Sequence, residues 1–177
     1  MHAARWLFIA SLCAGLLMPM AVSAESLQAG APAPDFALRD GQGKQRSLAD
    51  WRGRWLVLYF YPKDDTPGCT VEAQAFRDSL QRFTALDADV VGVSLDDAAS
   101  HQSFAASQRL SFPLLVDAGG KVARAYGALT NLGIAKFAKR HTFLIDPTGR
   151  IAKTYRDVEP ATHAAEILAD LQAFKRD

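Results

Sequence analysis

The chain has 177 residues, with 20 lysines and arginines against 19 aspartates and glutamates, a formal net charge of +1. So even a balance gives no footing for nucleic acid or an anionic membrane surface as a partner. The length suits one domain with a full core, and the chain shows no internal repeat, low-complexity segment or later transmembrane run.

The N-terminus reads as a cleavable secretory signal. Arg5 supplies the positive charge, an apolar run extends from Trp6 to about Val22, and Val22-Ser23-Ala24 offers the small residues a signal peptidase requires. Cleavage after Ala24 makes residues 1–24 the signal and 25–177 a single domain. The expected location is periplasmic or secreted, with no stable membrane association after cleavage. An uncleaved anchor is the alternative, but the run is marginal for a span and Pro19 interrupts it. Cys13 leaves with the signal; Leu12 before it is too large for a lipoprotein signal. Cys69 is then the one remaining thiol. Exported proteins usually pair their cysteines, so a lone one is either inert and buried or reactive.

Residues 29–35, AGAPAPD, form an extended, proline-stiffened lead-in. FALRDGQGKQRSL then reads as two short strands about an Asp40-Gly41 turn. The run WLVLYFY, 55–61, has the length and composition of a central strand buried on both faces. TVEAQAFRDSLQRFTAL switches to helical spacing, with Ala73, Phe76, Leu80 and Phe83 on one face. DVVGVSL, 89–95, is a second buried strand and AASHQSFAASQRL a helix. FPLLVD, 112–117, is a third strand, which Pro113 places at an edge or marks at its start. GKVARAYGA is a short helix. HTFLID, 141–146, and IAKTYRD, 151–157, form a hairpin about PTG, and THAAEILADLQAF is a closing amphipathic helix. Alternating strands and helices followed by a hairpin predict an α/β fold, a thioredoxin-like three-layer sandwich with an N-terminal β extension.

In YPKDDTPGCT, residues 61–70, Thr66 is a good N-cap and Pro67 suits the first helical position, so Gly68 and Cys69 fall second and third. Unpaired first-turn N–H groups and the helix dipole favour negative charge there. A cysteine so placed should ionise more readily than a free one, whose pKa is about 8.5. The threonine hydroxyl lies beside the same positions, at the carboxyl end of a buried strand, where α/β folds tend to bind ligands. Taken singly, Cys69 reads as a small core hydrophobe; the Thr-Pro-Gly lead-in favours reactivity. Asp64 and Asp65 read as solvated turn residues, with Asp65 assisting the cap, and Lys63 as solvent-facing. His101 reads as a helix-surface residue, and His141 and His163 as surface or strand residues without metal-ligand spacing.

The pattern Pro62-x-x-x-Thr66-x-x-Cys69 resembles the active-site motif of peroxiredoxins. The longer FYPKDDTPGCTVEAQAFRD resembles the bacterioferritin comigratory protein, or Q-type, branch, as does RHTFLIDPTGRI, with its arginine before Thr-Phe-Leu-Ile-Asp. The likeness runs from about Ala31 to the C-terminus. It implies a thiol-dependent peroxidase acting on hydrogen peroxide and organic hydroperoxides, with no cofactor and no metal. Cys69 would be the peroxidatic cysteine, oxidised to a sulfenic acid. Thr66 would hydrogen-bond thiolate and peroxide, Pro62 would shield the site from water, and Arg140 would stabilise the thiolate and the charge developing at the O–O bond. The Cys69 N–H would hold the peroxide, and Glu72 would orient the arginine. Alone, Arg140 reads as a solvated strand-edge residue and Glu72 as an ordinary first-turn acid.

Two departures from the family pattern stand out. Many Q-type members carry a resolving cysteine five residues after the first; here that position is Gln74, and no later cysteine exists. The resemblance therefore implies a 1-Cys enzyme, monomer or homodimer, reduced by an external thiol of thioredoxin-like or glutathione type. The segment 127–140, which helps frame the substrate entrance, is also short. A disulfide oxidoreductase would need Cys-x-x-Cys, and position 66 is threonine. The remaining alternative is a non-catalytic redox-sensing or chaperone-like module on the same fold.

Overall fold

The computed structural model describes residues 27–176; the expected signal, residues 1–24, lies outside them. After the lead-in come β1 (Ala37–Asp40), β2 (Gln45–Ser47), a 3-10 turn (Leu48–Trp51), β3 (Trp55–Phe60), α1 (Pro67–Ala85), β4 (Ala88–Ser94), α2 (Ala98–Gln108), β5 (Leu114–Val116), α3 (Lys121–Ala125), β6 (Leu129–Asn131), β7 (Lys136–Ala138), β8 (His141–Ile145), β9 (Ile151–Tyr155) and α4 (His163–Phe174). The main sheet has seven strands in the order β2-β1-β5-β4-β3-β8-β9, and β6 and β7 pair as a separate hairpin.

β3, β4 and β5 run parallel, as strands joined through helices must when the crossovers pack on the sheet. β8 joins β3 antiparallel, β9 joins β8, and the β1–β2 extension closes the far side on β5. β5 is therefore interior; Pro113 marks the start of the strand, where its missing N–H costs no ladder bond.

The period of two along β3 builds both halves of the core. Leu56, Leu58 and Phe60 face the side closed by the 3-10 turn and α3, with Trp51, Val122 and Tyr126. Val57, Tyr59 and Tyr61 face α1, α2 and α4, with Phe76, Phe104, Ile167 and Leu168. Layers therefore cover both faces of β3, and its side chains from Leu56 to Tyr61 are all buried. This is the thioredoxin-like architecture the sequence predicts. Gly92 in β4 leaves room for the Tyr59 ring: a Cβ there would lie 2.8 Å from Tyr59 Cζ and 2.7 Å from Leu114 Cδ2.

The β6–β7 hairpin has no counterpart in the sequence reading. Its strands are three residues each, too short for alternation to register. Its tip carries the fully exposed Ile134 and the largely exposed Leu132, and its second strand leads directly into Arg140.

Candidate active site

α1 begins at Pro67, which puts Cys69 third in its first turn, immediately beyond the buried strand β3. Among the described residues it is a free cysteine, and it is 1% exposed. Its neighbour in space is Arg140, 71 residues later, whose Nη2 donates to the sulfur at 3.4 Å. Nη1 of the same guanidinium donates to Glu72 Oε2. Gly68 makes this approach possible, because a Cβ there would stand 3.1 Å from Arg140 Nη2. The fold thus joins the two sequence motifs: β3 carries the cysteine turn at its end, and β8, its antiparallel neighbour, starts one residue after the arginine.

Glu72 is no ordinary first-turn acid. It has no exposed surface, and its Oε1 has no hydrogen-bond partner in the protein. Burial pushes its pKa up to about 7 against the opposing pull of Arg140. Arg140 itself is held more firmly protonated: burial works against its charge, but Glu72 and Cys69 outweigh it. The guanidinium is thus a fixed cation with one end on a carboxyl group and the other on the sulfur.

Thr66 occupies the N-cap position with extended backbone (φ −79°, ψ 147°), but its side chain makes no capping bond. Its hydroxyl donates instead to the Lys63 carbonyl at 3.0 Å, which closes the turn and leaves the oxygen lone pairs as acceptors. The expected side-chain cap is therefore corrected: the bond to Lys63 holds the hydroxyl on the turn, and its oxygen accepts from no first-turn N–H. Pro62, half-buried, starts this turn, and Lys63 is exposed as expected. Tyr59 lies beneath, its hydroxyl unpartnered in the protein and held neutral chiefly by burial, with Glu72 and Cys69 acting in the same direction.

Three further readings need correction. Asp64 is buried, not solvated: it accepts from the Tyr61 hydroxyl at 2.8 Å and from Ser100 Oγ at 2.7 Å, and pairs with His101 at 2.8 Å. His101 is buried in turn, because the α2 face that carries it packs on β5 and on this turn. His163 opens α4 fully buried, its Nε2 2.8 Å from Thr142 Oγ1 and its ring edge-on to Phe76 and Tyr155; burial is the first cause of its lowered pKa. Helical spacing marks which residues share a face, but not which polar residues on that face meet partners. His141 opens β8, half-buried, and burial lowers its pKa to about 4, with Arg156 and Lys139 adding to the effect.

An open cleft of about 620 Å³ borders Arg140, with Lys139, His141, Arg156 and Glu159 on its walls. A second, more enclosed cleft of about 560 Å³, between the Asp40–Gln42 turn, α2 and the start of β5, contains none of the five expected site residues. Chemistry, not enclosure, therefore marks the site. Gln74, at the position of a resolving cysteine, donates to Gln108 Oε1 at 2.8 Å and ties α1 to the end of α2. No group of three or more His, Cys, Asp or Glu side chains able to hold a metal occurs among the described residues.

Comparison with known proteins agrees with this geometry. Residues 29–154 match the AhpC/TSA family. The chain is 43% identical over 151 residues to the peroxiredoxin Bcp of Bacillus subtilis, covering 83% of this chain and 96% of that one. It resembles the crystal structure of peroxidoxin BcpB from Mycobacterium tuberculosis with a TM-score of 0.79 at 36% identity, over 83% and 97% of the two chains. The bacterioferritin comigratory protein of Xanthomonas campestris gives 0.75 at 37% identity, over 83% and 99%. With the thiol, the arginine and the carboxylate assembled on this fold, the chain belongs to the AhpC/TSA family and is a thiol-dependent peroxidase of the peroxiredoxin Q/Bcp kind.

Proposed function

We propose that Cys69 reduces hydrogen peroxide and organic hydroperoxides as a 1-Cys enzyme, with an external thiol completing the cycle. The observation that carries this reading is the contact of Arg140 with the Cys69 sulfur at the start of α1, while Gln74 stands where an internal partner thiol would be. The thiolate attacks one peroxide oxygen, an S–O bond forms and the O–O bond breaks. Sulfur loses two electrons, and water or an alcohol leaves with a proton. Arg140 and the Cys69 N–H stabilise the negative charge that develops on the departing oxygen. Thr66 orients the peroxide through its free lone pairs, Glu72 orients Arg140, and Pro62 keeps water from the sulfur.

Cys69 is almost fully buried, so the hydroperoxide end of a substrate, and not its body, reaches the sulfur. Alkyl peroxide reduction is ascribed to the similar Xanthomonas campestris protein, which supports organic hydroperoxides as substrates here. A thioredoxin-like or glutathione-type thiol attacks the sulfenic sulfur, so that an S–S bond forms, the S–O bond breaks and water leaves; a second thiol then expels Cys69 as the thiolate and the reductant departs as a disulfide. The protein works as a monomer or homodimer, exported by residues 1–24, so that intact mass should show a mature chain beginning at Glu25.

The test is mass spectrometry of the protein after peroxide. Without thiol, one or two oxygens should add at Cys69; with a small thiol, a mixed disulfide should appear and then the free cysteine. Cys69→Ser should abolish turnover while keeping the fold. A stoichiometric disulfide dimer that forms rapidly even at high dilution would mean that protomers resolve each other, and would overturn the external-thiol scheme.

A further inference from the structure

We propose that the buried Asp64–His101 pair positions the peroxidatic turn by fastening the segment between β3 and α1 onto α2 and β5. Neither residue contacts the sulfur in the hydrogen bonds around Cys69; both act through the turn that carries Thr66.

The pair is almost completely enclosed, with side-chain exposures of 2% for Asp64 and 1% for His101. His101 Nδ1 lies 2.8 Å from Asp64 Oδ2, and Nε2 lies 3.2 Å from the Leu115 carbonyl in β5. Each ring nitrogen thus has an oxygen partner, one on the turn and one in β5. Asp64 Oδ2 also accepts from Ser100 Oγ, and Oδ1 accepts from the Tyr61 hydroxyl. The Asp64 backbone N–H donates to Asp96 Oδ2 at 2.9 Å, and Asp96 accepts in turn from Ser94 Oγ at the end of β4. Burial alone drives Asp64 upward, yet the bonds from His101 and Ser100 and the His101 charge hold its carboxyl below the usual range.

So many anchors on one turn residue have a local consequence. The next residue, Asp65, takes φ +57°, a left-handed conformation that aspartate adopts more readily than most residues and that fits the turn these anchors hold. Thr66 then closes the turn through its bond to Lys63. A turn that merely linked β3 to α1 would need no buried carboxylate. One that must hold a hydroxyl in register with the first turn of α1 does, because small displacements of reacting groups cost large factors in rate.

This inference rests on the reading of Cys69 as the peroxide-reactive thiol. Its test compares two rate constants in the full chain: oxidation of Cys69 by hydrogen peroxide, followed by quenched-flow mass spectrometry, and alkylation of Cys69 by iodoacetamide. Oxidation depends on the register of the turn, whereas alkylation needs only an accessible thiolate. His101→Asn keeps an N–H near the Nδ1 position and should stay within about threefold of the wild type in both reactions, whereas His101→Gln reaches only toward Leu115 and should lose about tenfold to a hundredfold in peroxide rate alone. Asp64→Asn, which leaves a single side-chain acceptor oxygen for three donors, should show the same split and decides the matter if His101→Gln does not fold. Equal behaviour of the Asn and Gln variants, or peroxide and alkylation rates that fall together, would reduce the pair to general packing. A wild-type protein whose Cys69 ignored peroxide would overturn the reading of the thiol instead, so the two failures are distinguishable.

Discussion

Glu72 and Arg140 act as one unit: the carboxyl group, without exposed surface, accepts from Nη1, and the other terminal nitrogen of the same guanidinium lies 3.4 Å from the Cys69 sulfur. Burial makes this carboxylate costly, and its pKa rises to about 7. An unfolded chain ionises glutamate at about 4.3. Between those values the folded protein binds a proton that the unfolded chain has released, so stability should fall as pH rises through this window. Glu72→Gln should remove that decline, which urea unfolding at several pH values between the two would show. The same variant should react more slowly with peroxide above about pH 7, where Glu72 is ionised and Arg140 would lose its charged anchor. A stability profile identical to that of the wild type would mean that Glu72 stays ionised throughout.

Arg140→Lys should lose about tenfold or more in peroxide rate despite keeping the charge. The guanidinium reaches Glu72 and Cys69 at once through two nitrogens, and a single ammonium cannot span both. Steady-state kinetics at saturating reductant provide the check. Unchanged kinetics would return Arg140 to a solvated strand edge.

Gly68→Ala tests the same contact from the other side. The added methyl would stand 3.1 Å from Arg140 Nη2 and 3.8 Å from Pro160 Cγ, so the guanidinium must move by a few tenths of an ångström. Because alanine suits a helix better than glycine by about 1 kcal/mol, stability should hold or rise while the peroxide rate falls. A variant as fast as the wild type would show that Arg140 tolerates displacement.

Thr66→Val should slow peroxide reduction by about a hundredfold, and more than Thr66→Ser. Serine retains the donor to Lys63 and the free lone pairs; valine retains only the shape. Since the side chain makes no capping bond, thermal denaturation should show little of the stability loss expected of a broken cap. Equal rates for the two variants would assign Thr66 a purely steric role.

Gly92→Ala should destabilise the fold by about 1–3 kcal/mol, measured by denaturant unfolding. The new methyl would lie within 2.8 Å of side-chain atoms of both Tyr59 and Leu114, and both residues are buried, so the packing around them must shift. Retained stability would mean that Tyr59 can shift without cost.

Local chemistry is legible in the residues themselves. The apolar run of β3, the helical spacing of α1 and the Thr-Pro-Gly start of that helix are properties of adjacent side chains and of backbone preferences within one turn, so the sequence by itself determined the order of the main strands and helices and placed Cys69 in the first turn of α1. The resemblance of two short motifs then paired Cys69 with Arg140. Their meeting, however, depends on the register of β3 against β8, a long-range contact that no local pattern contains. Tertiary structure alone decided that Glu72 is buried and its carboxyl group pushed toward neutrality, because desolvation depends on what covers a group. It also decided that Thr66 turns its hydroxyl to Lys63 in place of the helix, and that Asp64 and His101, polar and exposed to any reading of their own segments, are enclosed together. Charged residues take their surroundings from elements far along the chain, and only the fold brings those elements near.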